Sequence, residues 1–268
     1  MEVTLIQGLM LALMAIVVGL DFFLEAFFVF RPLIVSTLTG LILGDVVLGL
    51  KCGALIELAF AGLTPAGGTQ PPNPVFAGLM GTVLAYTTNS TPEVALGLCL
   101  PFSFLGQYVI LFFYSAFSFF MGKADEFARN ADTAGIARIN RTTMAIVSIT
   151  YGVLAFLCTY VAQAPMQAFV NALPAVITHG LEVAGGILPA VGFAMLLRVM
   201  LKAKYLPYLI AGFLMATFCT MPNLLPVALL GTVFALIDFF GAKQRKEEVA
   251  EAIEKAGSIQ GGNGNVGI

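Results

Sequence analysis

Carboxylates inside apolar stretches are the side chains of this sequence that could do chemistry. Glu57 lies in CGALIELAFAGL, where no other residue is charged. A carboxylate at the centre of a membrane helix costs about 2.5 kcal/mol or more, so such a residue indicates a function unless it lies at the membrane interface. A carboxylate can accept hydrogen bonds from two adjacent sugar hydroxyls. We therefore predict that Glu57 binds a substrate.

Residues 64–74, TPAGGTQPPNP, cannot form a regular helix, because they include four prolines and two glycines. They separate the apolar stretches 52–63 and 75–86. Apolar segments interrupted by Gly and Pro are the best sequence indication of a transporter binding site, and the alternative is an ordinary aqueous loop. Three polar side chains of this segment would offer neutral donors and acceptors to a polyhydroxylated solute: Thr69, Gln70 and Asn73.

Other ionisable residues rank lower as substrate contacts. Asp21 and Glu25 would share a helix face at i,i+4 spacing, and one of them could pair with Arg31. Asp45 is expected to cap or end a helix. His179 is the only histidine, expected in a loop or interface, and it has no cluster of cysteines or carboxylates beside it. We therefore expect no metal site and no cofactor.

Composition predicts that the solvent of this protein is lipid. The chain is 59% hydrophobic and 10% charged, whereas soluble domains carry about 25% charged residues. We expect an all-α, polytopic integral membrane protein with broken or re-entrant helices, because a helix satisfies its own backbone in lipid. A net charge of −2 gives no support to nucleic-acid binding. No phosphate-binding loop or nucleophile motif is found, so we expect no enzyme activity in this chain.

The apolar runs predict the spans and their orientation. Clean candidates are residues 3–20, 142–163, 183–201 and 223–241, with a longer run at 95–121 that could be tilted or broken at Pro101 and a short one at 204–220. Lys and Arg cluster in a loop predicted at 122–141, around 198–204 and at 243–246, and such clusters indicate the cytoplasmic side.

The topology of residues 21–90 stays open. We expect a transmembrane domain over 1–241 and a cytoplasmic tail over 242–268, with a short charged helix followed by a disordered Gly/Asn-rich end.

Most of the chain up to residue 241 resembles the enzyme IIC component of the mannose-type phosphotransferase system. The segments that carry the resemblance include FRPLIVSTLTGLILGD (30–45), GALIELAFAGLTPAGGTQPPNP (53–74) and LPAVITHGLEVAGGILPAVGFAMLLRVM (173–200). The run AFAGLTPAGGTQPPNP resembles the N-acetylgalactosamine/galactosamine branch in particular. Proteins of the mannose branch have an aspartate where this chain has Asn73.

The resemblance implies that sugar transport and phosphoryl transfer lie on different subunits. The IIC subunit would pair with a second membrane subunit, IID, as a trimer of IIC–IID pairs in the bacterial cytoplasmic (inner) membrane, and carry an amino sugar by an elevator movement. Cytoplasmic IIA and IIB would relay the phosphoryl group from HPr, and IIB would phosphorylate the sugar on entry. The phosphorylated histidines would then lie on IIA and IIB. The alternative is an ion-coupled secondary sugar transporter.

Overall fold

The computed structural model describes residues 1–63, 70–219 and 225–261. The described residues contain helices and connecting turns but no strands, as the all-α prediction requires. The chain divides into two units, residues 1–199 and 200–268. The two units are described separately.

Nine α-helices begin among the described residues of the first unit. They are α1 (Leu5–Leu24), α2 (Pro32–Leu43), α3 (Val46–Phe60), α4 (Pro74–Thr88), α5 (Pro92–Ala116), α6 (Ser118–Arg129), α7 (Thr133–Phe156), α8 (Gln163–Asn171) and α9 (Ala175–Met200). A π-helical turn, Leu157–Val161, continues α7. The second unit has α10 (Leu206–Phe218) and α11 (Leu225–Gly261) after a short 3-10 turn, Ala203–Tyr205.

Five helices of the described chain are long and apolar enough to cross a membrane: α1, α5, α7 with its π turn, α9 and the part of α11 up to Ala252. They coincide with most of each of the four clean candidate spans. The run at 95–121 forms a continuous helix as far as Ala116 although Pro101 lies inside it.

Helices α2 and α3 form a tight hairpin. Gly44 ends α2 with φ 90°, a left-handed conformation that glycine adopts without a steric penalty. The side chain of Asp45 then accepts a hydrogen bond from Leu48 N at 2.9 Å, which confirms the predicted cap. Close to this turn the helices meet at Gly40 and Gly49, where a Cβ on Gly40 would lie 2.8 Å from Gly49 Cα.

This hairpin is too short to cross a membrane. Its helices have 12 and 15 residues, so they extend about 18 Å and about 22 Å, against a hydrocarbon thickness of roughly 30 Å. Gln7 Nε2, near the start of α1, donates to Ile42 O at 3.3 Å and Leu43 O at 3.4 Å, so the hairpin tip lies at the α1 N-terminal end of the unit. The hairpin is therefore the re-entrant element that the sequence left unplaced.

Helix α4 ends on the side of the first unit where the hairpin tip lies. Gln163 hydrogen-bonds the Val3 backbone at 2.8 and 3.1 Å, and Gln167 donates to Thr87 O at 3.4 Å. Because α2 and α4 both end on this side, their N-termini both point into the unit. A Cβ on Gly78 would lie 3.2 Å from Pro32 Cα, so the first turns of α2 and α4 are adjacent.

A segment predicted to be a loop is helical. The loop predicted at 122–141 is mostly α6 and the start of α7, joined by a turn at residues 130–132. Phe113 stacks on Phe117 with ring centroids 5.0 Å apart, and Phe117 contacts Phe120 at 6.1 Å, so α6 continues the aromatic contacts of α5. Within the basic segment, Phe127 of α6 packs on Gly135 of α7, where a Cβ would lie 2.6 Å from the Phe127 ring, so the two helices support each other.

The charged tail helix is not a separate element. α11 runs through Gly241 to Gly261 without a break. Pairs at i,i+4 spacing extend it past the apolar part: Lys243 Nζ lies 3.9 Å from Glu247 Oε1, and Gln244 Nε2 donates to Glu248 Oε1 at 3.2 Å. The domain boundary at 241 stays a prediction.

Candidate functional site

Glu57 is paired with Arg31. Arg31 Nε donates to Glu57 Oε1 at 2.7 Å, and Arg31 Nη2 donates to the same oxygen. The backbone N–H of Leu33 donates to Glu57 Oε2 at 3.2 Å. The expectation that Asp21 or Glu25 would pair with Arg31 is therefore wrong, because the antiparallel hairpin brings Glu57 to the start of α2.

The position of Glu57 also suits its charge. Arg31 and Pro32 precede Leu33 at the N-terminus of α2, where unpaired backbone N–H groups and the helix dipole favour an anion. The hairpin can deliver the carboxylate there because Gly53 of α3 packs on Leu33, where a Cβ would lie 3.0 Å from Leu33 Cα. The side chains of Arg31 and Glu57 are 34% and 24% exposed, so a solute can reach both.

The ion pair retains hydrogen-bonding capacity. Glu57 accepts three hydrogen bonds, out of about four lone-pair sites of a carboxylate, which leaves one on Oε2. Arg31 uses Nε and Nη2, and Nη1 has no partner in the described chain. Within the described chain, Glu57 therefore keeps one open acceptor position and Arg31 keeps its Nη1 donors, and substrate binding by Glu57 stays a prediction.

Asn73 lies at the other end of the broken segment and is fully buried. Its Oδ1 accepts hydrogen bonds from Val75 N at 2.9 Å and Phe76 N at 3.2 Å, so it caps α4. Its Nδ2 donates to Tyr151 Oη at 2.6 Å. Sugar binding by Asn73 stays a prediction, and the structure shows its amide engaged in holding α4 against α7.

Helix α5 anchors the same segment through its backbone. Asn73 N donates to Ser103 O at 3.0 Å, and Ser103 Oγ donates to Asn73 O at 2.8 Å. Gln107 Nε2 donates to the backbone oxygen of Gln70. A Cβ on Gly106 would lie 2.7 Å from Asn73 Cβ, so only glycine admits this approach.

Ser103, Gln107 and Tyr151 were missed at the level of sequence. Ser103 and Tyr151 lie 30 and 78 residues from Asn73 in the chain. A serine, a glutamine and a tyrosine inside apolar helices carry no signal that links them to one segment. The side chain of Gln70 is partly buried, and Thr69 lies outside the described residues.

Asp21 and Glu25 do not share a helix face, because α1 ends at Leu24. Asp21 is buried, and its two oxygens accept hydrogen bonds from Phe27 N at 2.8 Å and Val29 N at 2.7 Å, which shapes the turn into α2. Glu25 follows α1 in a left-handed conformation and is exposed. Their contact with a substrate stays a prediction.

His179 lies within α9 and not in a loop, and its side chain is exposed. Its Nδ1 is 3.6 Å from Glu182 Oε2, one turn along the same helix. The described residues contain no cluster of three or more metal-ligating side chains.

The site lies near the middle of the long helices. Ser103 is about 16 Å along α5 from Pro92 at about 1.5 Å per residue, close to the midpoint of this 25-residue helix. The N-termini of α2 and α4 and the C-terminus of α3 therefore end inside the first unit rather than at its surfaces. Interrupted helices that end at mid-depth are typical of transporter binding sites.

Known proteins share both the sequence and this fold. Residues 5–237 match the family model of the sorbose-specific IIC component of the phosphotransferase system. An Escherichia coli K12 protein named N-acetylgalactosamine permease IIC component 1 is 64% identical over 246 residues, 92% of each chain. The mannose-specific EIIC component of the same strain is 28% identical over 88% of this chain and 89% of its own.

Two solved structures are similar at 27% identity, over 89% of this chain and 96% of theirs. One, described only as a membrane protein, has a TM-score of 0.80. The other, with a TM-score of 0.58, is the mannose transporter ManYZ in complex with microcin E492. With the family match and the apolar helices, these findings show that the chain belongs to the IIC membrane-component family of the sugar phosphotransferase system, a family of multi-pass transport subunits.

Proposed function

We propose that this chain carries an amino sugar, N-acetylgalactosamine or galactosamine, across the cytoplasmic membrane as the IIC subunit of a phosphotransferase permease. The 64% identity with a protein named N-acetylgalactosamine permease IIC component 1 carries this proposal. Relatives named for mannose and sorbose are 28–29% identical, so the resemblance to the amino-sugar protein is the more specific one.

The Arg31–Glu57 pair suits such a solute. A sugar hydroxyl can donate to the open site on Glu57 Oε2 while a neighbouring oxygen accepts from Arg31 Nη1. We place the sugar there, at the ends of α2 and α3, with Gln70 and Thr69 as further candidate contacts from the broken segment. Asn73 supports the site by fixing the start of α4.

The chain would work as part of a complex. The ManYZ description names a two-component transporter, which supports a IID partner for this chain and, by resemblance, a trimer of IIC–IID pairs. We assign phosphoryl transfer to the IIA and IIB subunits, which receive the group from HPr. Phosphorylation would trap the sugar, because a phosphate carries about −1.5 to −2 charges at neutral pH and cannot recross lipid.

The hairpin also suggests what moves. Because α2 and α3 meet at glycines and Ser36 Oγ donates to Gly78 O of α4 at 3.0 Å, these three helices can move as one body with the site at their inner ends. An elevator movement would carry this body between the two membrane faces. Arg and Lys at α6 and the start of α7 support a cytoplasmic location for the turn between these helices, and the basic cluster at 243–246 supports one for the C-terminal tail.

Uptake that depends on phosphoenolpyruvate tests the proposed function. Vesicles that contain this chain with IID, IIA, IIB, HPr and its kinase should accumulate phosphorylated amino sugar, and vesicles that lack IIB should not. Accumulation that needs no phosphoenolpyruvate and stops when the proton gradient is collapsed would instead establish a secondary transporter.

Radioactive phosphate should label IIA and IIB but not this chain, and label on His179 would contradict the assignment.

A further inference from the structure

We infer that Arg31 sets the charge selectivity of the sugar site, favouring a neutral N-acetylated amino sugar over the cationic free amine. This inference rests on the proposed function, because it assigns a specificity role within the site at Glu57. It assigns to Arg31, through its positive charge, the choice between N-acetylgalactosamine and galactosamine.

The first argument is the geometry of the guanidinium group. Both of its engaged nitrogens, Nε and Nη2, donate to the single oxygen Oε1 of Glu57. A side-by-side pair would use both carboxylate oxygens, but here the backbone N–H of Leu33 donates to Oε2. The ion pair therefore keeps both the Nη1 donors of Arg31 and one lone pair on Oε2 of Glu57 for a ligand. The Arg31 side chain is 34% exposed.

The second argument is charge. Glu57 has no other ion-pair partner in the described chain, so Arg31 alone neutralises it. The amine of galactosamine is protonated below a pKa near that of an α-amino group, about 7.7–8.0, whereas the acetamido group of N-acetylgalactosamine is neutral. The fixed positive charge of Arg31 repels the ammonium form, and its Nη1 can donate to the acetamido oxygen. Without Arg31, an unpaired Glu57 would attract the ammonium form.

The test compares the two sugars in cells that express the complete permease. Initial uptake of radiolabelled N-acetylgalactosamine and galactosamine is measured at pH 6.5, where the free amine is protonated, for the wild type, Arg31→Gln and Arg31→Lys. The matched control is Arg129→Gln, which removes an exposed arginine at the end of α6 that has no ion pair in the described chain. Immunoblots of isolated membranes report the amount of each variant.

The ratio of galactosamine to N-acetylgalactosamine uptake is the deciding quantity, because it does not depend on the amount of protein. Arg31→Gln should raise this ratio by about tenfold, a typical effect of one hydrogen bond to a charged group. Arg31→Lys keeps the positive charge, so its uptake ratio should stay close to that of the wild type while its uptake rate falls. Arg129→Gln should change neither the uptake ratio nor the uptake rate. If Arg31→Gln abolishes uptake of both sugars, the uptake ratio of Arg31→Lys is the deciding measurement. Uptake by Arg31→Lys at the wild-type ratio then supports the inference.

Two results overturn the inference. The first is an unchanged ratio in Arg31→Gln with normal protein levels, which shows that Arg31 does not face the amine. The second is a lysine variant that loses uptake, or whose ratio shifts as in Arg31→Gln, which shows that arginine serves to position Glu57. A wild-type permease that takes up neither sugar contradicts the proposed function as well, so the two failures are distinguishable.

Discussion

At the scale of single residues, Glu57 combines structural hydrogen bonds with a partly exposed side chain. Glu57 accepts hydrogen bonds from Arg31 and from Leu33 N, its side chain is partly exposed, and within the described chain one acceptor position stays open. Asn73 and Asp21 differ, because they are buried and accept hydrogen bonds from backbone N–H groups that follow them in the chain. Exposure therefore separates the candidate sugar contact Glu57 from these structural residues.

Glu57→Gln should abolish most sugar uptake. Glutamine keeps the size of the side chain, but it removes the charge that pairs with Arg31. A hydrogen bond to a charged group contributes about 1.5–3 kcal/mol, so initial uptake should fall by about ten- to a hundredfold. Phosphoenolpyruvate-dependent uptake and a membrane immunoblot measure this. Wild-type uptake by a normally inserted variant would remove Glu57 from the site.

Asn73→Ala should reduce stability together with uptake. The variant loses the cap of α4 and leaves Tyr151 Oη without its donor partner, which should lower the free energy of unfolding by about 1–3 kcal/mol. Asn73→Asp should retain the cap, since aspartate accepts from Val75 N and Phe76 N and can also accept from Tyr151 Oη. Thermal unfolding in detergent compares the two variants. Equal stability of the alanine variant and the wild type would contradict the role assigned to the cap.

At the scale of the helices, the short elements α2, α3 and α4 create the site by ending inside the unit. Their close packing depends on glycine. A Cβ on Gly49 would lie 2.5 Å from Ser36 O and 2.9 Å from Gly40 Cα, both of which are backbone atoms that cannot rotate away. The register of the hairpin, and with it the contact between Arg31 and Glu57, therefore depends on this crossing.

Gly49→Ala should destabilise the protein, although alanine is the better helix former. Overpacking a tight contact costs about 1–3 kcal/mol, and the displaced hairpin would separate Glu57 from Leu33 N. The matched control is Gly122→Ala in α6, where an added Cβ meets no atom within 4 Å. Thermal unfolding in detergent should show a loss for Gly49→Ala only. Equal unfolding temperatures for both variants would show that the crossing tolerates a methyl group.

At the scale of the whole molecule, the distribution of charge indicates how the first unit lies in the membrane. Lys123, Arg129, Arg138 and Arg141 lie on α6 and the first turns of α7. The hairpin tip and the ends of α4 and α8 form the opposite side of this unit. From the positive-inside rule we predict that the tip faces the exterior and that the turn between α6 and α7 faces the cytoplasm.

Cysteine labelling from outside the cell tests this orientation. Cys219 is the exposed native cysteine of the described chain, so Cys219→Ser provides the background. In intact spheroplasts, a membrane-impermeant maleimide should label Ser90→Cys, between α4 and α5, and should leave Asn130→Cys, between α6 and α7, unmodified. Permeabilised cells should label both. The reverse pattern in intact spheroplasts would invert the orientation.

The sequence by itself determined the solvent, the long helices and the place where they break. These properties depend on local composition: apolar runs of sufficient length require lipid, and the prolines of residues 64–74 exclude a regular helix whatever surrounds them. The cap at Asp45 was predictable for the same reason, since it depends on neighbours in the chain. The predicted loop at 122–141 is wrong, because α6 and α7 support each other across their turn, where Phe127 packs on Gly135.

Only the tertiary structure decided which polar groups meet. Arg31 and Glu57 are 26 residues apart, and no sequence spacing distinguishes Glu57 from the nearer carboxylates Asp21 and Glu25 as the partner of Arg31. The hairpin joins them because two helices that cross at glycine place the end of one beside the start of the other. The residue type of Asn73 predicts a sugar contact, which stays a prediction, whereas its hydrogen bond with Tyr151 across 78 residues is a structural role that the sequence did not reveal. Hydrogen bonds depend on distance in space, which packing sets and chain order does not reveal.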